Sequence, residues 1–145
     1  MLFRSSLPAA GLSLGAHSIT AVYFGNPNLV SSTSAPFTQV VTTTGGANST
    51  SASLTAPAQT FFRQSAAFTI AVNSGGGTPS GSVILLDGNT QLGPVLTLDG
   101  AGAASYSTPL RPGVHQIQAI YIGGSNFNGS SSGLTVNASP RPKPR

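Results

Sequence analysis

Apolar and polar residues alternate with a period of two in several short stretches of this chain, and no stretch carries a convincing helical period. In SAAFTIAVN the alternation places Phe68, Ile70 and Val72 on one side of an extended strand. GVHQIQAIY alternates in the same way, and its predicted inner face consists of His115, Ile117, Ala119 and Tyr121. Such alternation is typical of strands with one buried and one solvated face. The pattern therefore predicts a β-protein.

Turn residues separate these strands from several more. GSVILLDG is a short apolar run that ends at Asp87-Gly88, and QLGPVLTLDG ends at a second Asp-Gly pair that begins at Asp99. Asp-Gly favours tight turns. GAASYST puts Tyr106 on one face with Ala104, while SLTAPAQTF and SSSGLTVNA supply the first and last strands. About seven short strands at this spacing predict an all-β fold, an antiparallel immunoglobulin-like sandwich, with a barrel as the alternative.

One segment of the chain occurs twice, and an offset of 98 residues aligns Gly15 with Gly113. The offset pairs His17 with His115, and it also pairs the isoleucine, alanine and tyrosine that follow each histidine. A period of this length suits a tandem array of small sandwich domains. The earlier copy begins about 15 residues before its histidine, so we expect it to hold only the last strands of a repeat.

The repeat and the composition divide the chain into four predicted regions. These are a partial repeat at 1–41, a Gly/Ser/Thr-rich linker at 42–53, a complete domain at 54–138 and a proline-rich basic tail at 139–145. The repeat accounts for the N-terminal segment better than a signal peptide does. An isolated hairpin is marginally stable in water. We therefore expect the partial repeat to be loosely ordered, or paired with the domain or with another chain.

The chain is poor in charge, and this excludes several functions. Only 6% of the residues are charged, and the formal net charge of +4 comes from Arg4 and the tail, because Arg63 and Arg111 offset the two aspartates. A nucleic-acid interface needs Lys and Arg spread along a face, so no nucleic-acid partner is expected. No apolar run reaches the roughly 18–20 residues of a membrane span, and no membrane insertion is expected. The absence of cysteine excludes disulfides and thiolate metal sites.

Three motifs in order resemble the bacterial immunoglobulin-like domains that occur as tandem repeats in surface and secreted proteins. They are GTPSG before a strand, an Asp-Gly turn followed by Leu-Gly, and GVHQIQAIY followed by GGSNF, which ends at Phe127. The resemblance covers the complete domain and the matching part of the earlier copy. It implies an extracellular or cell-surface module for spacing or adhesion, with neighbouring Ig-like repeats as partners and with no cofactor.

The two histidines are the most tempting candidates for a catalytic or metal site. His115 occupies the place where an antibody-type domain carries its corner tyrosine, so it is predicted to hydrogen-bond a backbone carbonyl near the start of its strand. His17 and His115 belong to different copies, whereas a zinc or catalytic site needs several convergent groups. Asp87 and Asp99 form a conceivable carboxylate or calcium pair, but each precedes a turn glycine. Both aspartates are therefore predicted to be turn residues.

These observations predict a non-enzymatic structural or adhesive module that acts as a spacer or stalk. The alternative is a carbohydrate- or protein-binding accessory domain of a secreted enzyme, which would take a cell-surface protein or a glycan as its partner. Sugar sites usually use flat aromatic platforms, and the chain has no tryptophan. Phe61 and Phe62 are adjacent and should point to opposite sides of a strand, so one of them is expected to be exposed or to cover a junction between domains.

Overall fold

The computed structural model describes residues 11–43 and 48–140, in which the regular structure consists of β-strands and contains no helix. Three parts of the predicted regions lie outside the described residues. They are 1–10 of the partial repeat, 44–47 of the linker and 141–145 of the tail. The strands are β1 (Gly15–Ile19), β2 (Val22–Tyr23), β3 (Ser32–Thr33), β4 (Phe37–Val41), β5 (Thr50–Thr55), β6 (Gln59–Phe61), β7 (Ser65–Ser74), β8 (Ser82–Asp87), β9 (Thr90–Gln91), β10 (Leu96–Thr97), β11 (Ala103–Pro109), β12 (Gly113–Tyr121) and β13 (Ser130–Ser139). Since no helix is present there, no helix of the described residues could cross a membrane.

Strands β5 to β13 form a two-sheet sandwich, which confirms the predicted all-β, immunoglobulin-like fold. One sheet has the order β11-β7-β5, and the other has the order β10-β8-β12-β13-β6, with β9 also paired to β8. All pairs are antiparallel except β13 with β6, which is parallel. The predicted first strand is divided between the sheets because Pro57, which has no N–H to donate, follows β5. The chain then crosses to the other sheet as β6.

The core lies between the two sheets and contains the predicted inner faces. Phe68, Ile70, Ile117, Ala119 and Tyr121 are each no more than 1% exposed. The register explains this, because Ile117, Ala119 and Tyr121 lie opposite alternate residues of β8. The other predicted core positions follow the same pattern: Val72 is 1% exposed, while Tyr106 and Phe127 are partly buried against the cluster.

The domain begins earlier than the apolar pattern indicates. Strand β5 starts at Thr50, so residues 50–53 of the predicted linker belong to the sandwich, and they pair with the end of β7. The side chains in this part of β5 are Thr, Ser and Ala, of which Ala52 packs against the core. Such small and polar side chains produce no apolar alternation, so the sequence pattern could not separate this part of the strand from a linker.

The earlier copy of the repeat forms an N-terminal hairpin, defined here as residues 15–43. Strand β1 pairs with β4 from Gly15↔Val41 to Ile19↔Phe37, and β2 pairs with β3. This reproduces the hairpin of β12 and β13 with a connection one residue longer. Of the two outcomes expected for this segment, loose order or pairing, the structure has it packed on the domain, as described below.

Candidate functional site

At the start of β12, His115 connects this strand to the end of β8 and to the loop that precedes β12. Its Nδ1 lies 2.5 Å from Oδ2 of Asp87, the last residue of β8, and its Nε2 lies 2.7 Å from the backbone carbonyl of Arg111. Asp87 lies opposite Ile117, which is two residues along from His115 and on the same face. The predicted hydrogen bond from His115 to a backbone carbonyl is therefore present. The sequence did not predict the pairing with Asp87, which it indicated only as a turn residue.

The surroundings of His115 favour the protonated ring. Burial alone lowers the pKa of His115, but the hydrogen bonds to the Arg111 carbonyl and the Asp87 carboxylate, together with the negative charge of Asp87, raise it above its ordinary value of 6.5. In the imidazolium form both ring nitrogens donate, so both contacts are satisfied at once. The side chain is only 13% exposed. This arrangement stabilises the strand ends and leaves neither nitrogen available for a substrate.

Asp87 and Asp99 do not form a shared carboxylate site. Asp87 is engaged with His115, whereas one oxygen of Asp99 accepts hydrogen bonds of 2.9 Å from the backbone N–H groups of Ala101 and Ala103. The bonds from Ala103 and Ala101 lower the pKa of Asp99. Asp99 is thus a turn residue, and Asp87 closes a strand while also pairing with a histidine. The described residues contain no group of three or more His, Asp or Glu side chains that could hold a metal ion.

Tyr121 anchors the loop that precedes β8. Its ring is fully buried in the core, and its hydroxyl donates a 2.7 Å hydrogen bond to the backbone carbonyl of Ser80. Burial raises the pKa of Tyr121. The loop residues of GTPSG are therefore connected to the core by a buried tyrosine, which gives this motif a structural role.

The N-terminal hairpin reproduces the same corner. Nε2 of His17 lies 2.8 Å from the backbone carbonyl of Ser13, four residues earlier, as Nε2 of His115 does with Arg111. The turn after β2 is also equivalent, since the bridge between Asn26 and Leu29 lies 98 residues before the bridge between Gly124 and Phe127. Among the described residues, however, only His115 has an acidic partner. The two copies therefore share local backbone structure as well as sequence.

The hairpin is attached to the domain at both ends of β8. The Thr38 N–H donates to the carbonyl of Asn89, just beyond β8, with a distance of 3.1 Å. At the other end, the Thr43 N–H donates to the Ile122 carbonyl at 2.7 Å, and the Ile122 N–H donates to the carbonyl of Ser82, the first residue of β8. Five extended residues span about 17 Å, close to the length of β8. Thr38 and Thr43 therefore lie near opposite ends of β8.

Two buried residues of β8 do not belong to the core between the sheets. Val83 and Leu85 belong to the core cluster, so Ile84 and Leu86, which alternate with them, point to the outer face of β8. These two side chains are 0% and 5% exposed. Ala16 and Thr38, on the hairpin face opposite His17, line a cleft with Gln91 and its neighbours. The hairpin therefore contacts the domain beside β9.

Comparisons with known proteins agree with this architecture. A family model described as "Bacterial Ig-like domain (group 3)" matches residues 44–139. A solved structure entitled "Structures of Clostridium thermocellum CbhA fibronectin(III)-like modules" is similar with a TM-score of 0.52 and 16% identity, covering 90% of this chain. The present chain spans 65% of the length of that structure, and at this identity the likeness concerns the fold alone. No curated protein matches the sequence.

Proposed function

The chain belongs to the bacterial Ig-like domain family (group 3), and on this premise we propose that it is a non-enzymatic spacer module of a bacterial cell-surface or secreted repeat protein. The observation that carries the proposal is the attachment of one copy's closing hairpin to the next copy by backbone hydrogen bonds. A spacer must transmit orientation from one module to the next. The hydrogen bonds of Thr38 and Thr43 provide such a connection.

The other features of the molecule agree with a mechanical role. Three ionisable groups of the domain are used within it, since His115 pairs with Asp87 and Asp99 holds a turn. The small, weakly charged side chains suit strands and turns. The proposed partners are neighbouring Ig-like repeats.

Labelling of intact cells tests the proposed location. An antibody raised against residues 48–140 is expected to bind intact cells of the source bacterium or to detect the protein in the medium. External protease should remove the signal from the cells. A signal that appears only after lysis would refute the proposal, and an antibody against a cytoplasmic protein is the matched control.

Disulfide cross-linking tests the connection between the copies. The chain has no cysteine, so the double variant Thr38→Cys/Asn89→Cys introduces one pair at a backbone contact of 3.1 Å. Mild oxidation should close this pair in the monomer, whereas Thr38→Cys/Ser51→Cys, with its second cysteine on the other sheet, should stay reduced. Equal cross-linking in both variants would show that the hairpin does not occupy one position.

A binding accessory domain is the second candidate, because aromatic side chains are exposed at one end of the sandwich. Phe61 ends β6 and is 46% exposed, and Phe62, which lies beyond the strand, is 40% exposed beneath the guanidinium of Arg63. The sequence predicted exposure for one of these phenylalanines, and both are exposed, because β6 ends between the two. Saturable glycan binding that survives high salt and is lost in Phe62→Ala would favour this function over a spacer.

A further inference from the structure

The two acidic side chains of the sequence are both engaged, and neither forms an ion pair with an arginine. Asp87 pairs with His115, whereas Asp99 accepts hydrogen bonds from backbone N–H groups of its own turn. Within residues 11–43 and 48–140, the pair of His115 with Asp87 is the one ion pair. Arg63 and Arg111 are therefore exposed cations that have no acidic partner in the described part of the chain.

The two arginines lie at the same end of the domain. In the register of β7 and β11, Ser65 pairs with Pro109, and each arginine is two residues beyond this last pair. Asp99 lies at the other end of β11, where it bonds the first residue of the strand. A strand of this length spans about 20 Å. The positive charges of the arginines are therefore well separated from the charge of Asp99.

The two exposed phenylalanines lie at this end as well. Phe61 is opposite the last residue of β13, and β12 begins opposite the residue before it. Cζ of Arg63 lies 5.5 Å from the centroid of the Phe62 ring, which is a distance typical of a cation–π contact. We refer to residues 61–63 and 111 as the arginine end. It combines two cations with two exposed aromatic rings.

The backbone of Arg63 adds a second observation at the same place. Among the described residues, Arg63 is the one residue other than glycine with a positive φ, at +69°. Glycine adopts this left-handed conformation without strain, whereas a side chain makes it costly. Strained positions of this kind are common at binding sites. Stability alone would favour glycine in this turn, and the chain has an arginine whose charge lies over an aromatic ring.

We propose that the arginine end binds a polysaccharide that carries carboxylate groups, such as a polymer of uronic acids. Each guanidinium presents a planar fork of N–H donors that matches the two oxygens of a carboxylate. The exposed phenylalanine rings contact the apolar faces of the sugars. An acidic polysaccharide repeats both features along its length, whereas an uncharged glycan leaves the two guanidinium groups unused. The proposal goes beyond the spacer function and does not depend on it, because a spacer that binds such a polymer still separates its neighbours.

The test titrates the full chain with an oligogalacturonate and follows the amide chemical shifts by NMR. Signals of residues 61–63 and 111–113 should shift and saturate. The fully methyl-esterified oligosaccharide has the same sugars without the charges, and it should bind at least about tenfold more weakly. Equal binding of the ester would overturn the proposal and would still support the accessory-domain function. Labelling of intact cells tests the spacer function separately, because its result does not depend on any ligand.

Variants of the arginine end test the residues that the proposal names. Arg63→Gly and Arg111→Gln should each weaken binding of the oligogalacturonate about fivefold. Arg63→Gly relieves the left-handed backbone, so its urea midpoint should be no lower than that of the natural chain, and weaker binding cannot result from unfolding. Phe62→Ala should also weaken binding. Phe24→Ala is its matched control, since Phe24 is 89% exposed on the N-terminal hairpin. Unchanged affinity in both arginine variants would overturn the proposal.

Two further measurements exclude other sources of binding. The tail that follows β13 in the sequence carries three more basic residues, so the triple variant Arg141→Gln/Lys143→Gln/Arg145→Gln is compared with the natural chain. The shifts at the arginine end and the effect of Arg63→Gly should persist in it, and loss of all binding would overturn the proposal. Polyglutamate is the competing ligand. Tighter binding of polyglutamate than of the oligogalacturonate would overturn the proposal in favour of an acidic protein segment.

Discussion

Gly93 lies directly against the ring of Tyr106, and its substitution gives a sharp test of how the β9–β10 connection is packed. The backbone of Gly93 has φ = +80°, and a Cβ added there would lie 2.4 Å from Cζ and 2.6 Å from the hydroxyl oxygen of Tyr106. Gly93→Ala therefore combines two costs. A left-handed backbone costs a non-glycine residue about 1–2 kcal/mol, and forcing a methyl group into a packed site costs about 1–3 kcal/mol more.

Gly88 provides the matched control for this variant. Its φ is +58°, but an added Cβ would have no atom within 4 Å. Gly88→Ala therefore has the backbone cost without the collision, and alanine recovers about 0.4–1 kcal/mol by restricting the unfolded chain. We expect the free energy of unfolding to fall by about 1 kcal/mol in Gly88→Ala and by about 2–4 kcal/mol in Gly93→Ala.

Urea unfolding followed by far-ultraviolet circular dichroism measures both variants, and the same pair is then made in a Tyr106→Leu background. Leucine lacks the ring atoms that the new methyl group would meet, so the excess cost of Gly93→Ala over Gly88→Ala should largely disappear. Equal costs for the two glycine variants in the natural background would refute the packing argument. So would an excess that persists without the tyrosine ring.

Three further predictions concern the core and its polar anchors. Because the pKa of His115 is raised in the folded state, its stabilising contribution is complete below its ordinary value of 6.5 and is lost as the pH rises through the folded value. The urea midpoint should therefore fall as the pH rises above about 6.5, and Asp87→Asn should flatten this dependence; an unchanged slope would refute the role of the pair. Tyr121→Phe leaves the Ser80 carbonyl without its donor and should reduce the free energy of unfolding by about 1–2 kcal/mol without changing the urea m value; a loss below about 0.3 kcal/mol would show that the hydrogen bond has no net effect. Phe68→Ala should cost about 3–5 kcal/mol by creating a core cavity, and a calorimetric loss below about 1 kcal/mol would contradict its assignment to the core.

The apolar alternation predicted the central strands because side-chain burial in a strand repeats every two residues. Strands β7 and β12 are long and half-buried, and their inner residues are those identified from the sequence. The alternation did not predict the start of β5, because its Thr, Ser and Ala side chains bury little apolar surface. The pairing of Asp87 with His115 had a weaker signal, since Val83, Leu85 and Asp87 alternate onto the inner face. Because Asp87 also precedes Gly88, the sequence indicated a turn role and no pairing for it.

The sandwich, its inner faces, the turn residues and the duplication of the histidine strand follow from the sequence, because they depend on local periodicity and turn chemistry. The contacts between distant strands follow from the folded arrangement of the sheets. His115 acquires a carboxylate because β8 and β12 are neighbours, and His17 lacks one because no strand pairs with that edge of β1 in the described residues. Likewise, Thr38 and Thr43 of the earlier copy meet backbone carbonyls near the two ends of β8. Contacts of this kind depend on the arrangement of whole sheets, which residue spacing along the chain does not encode.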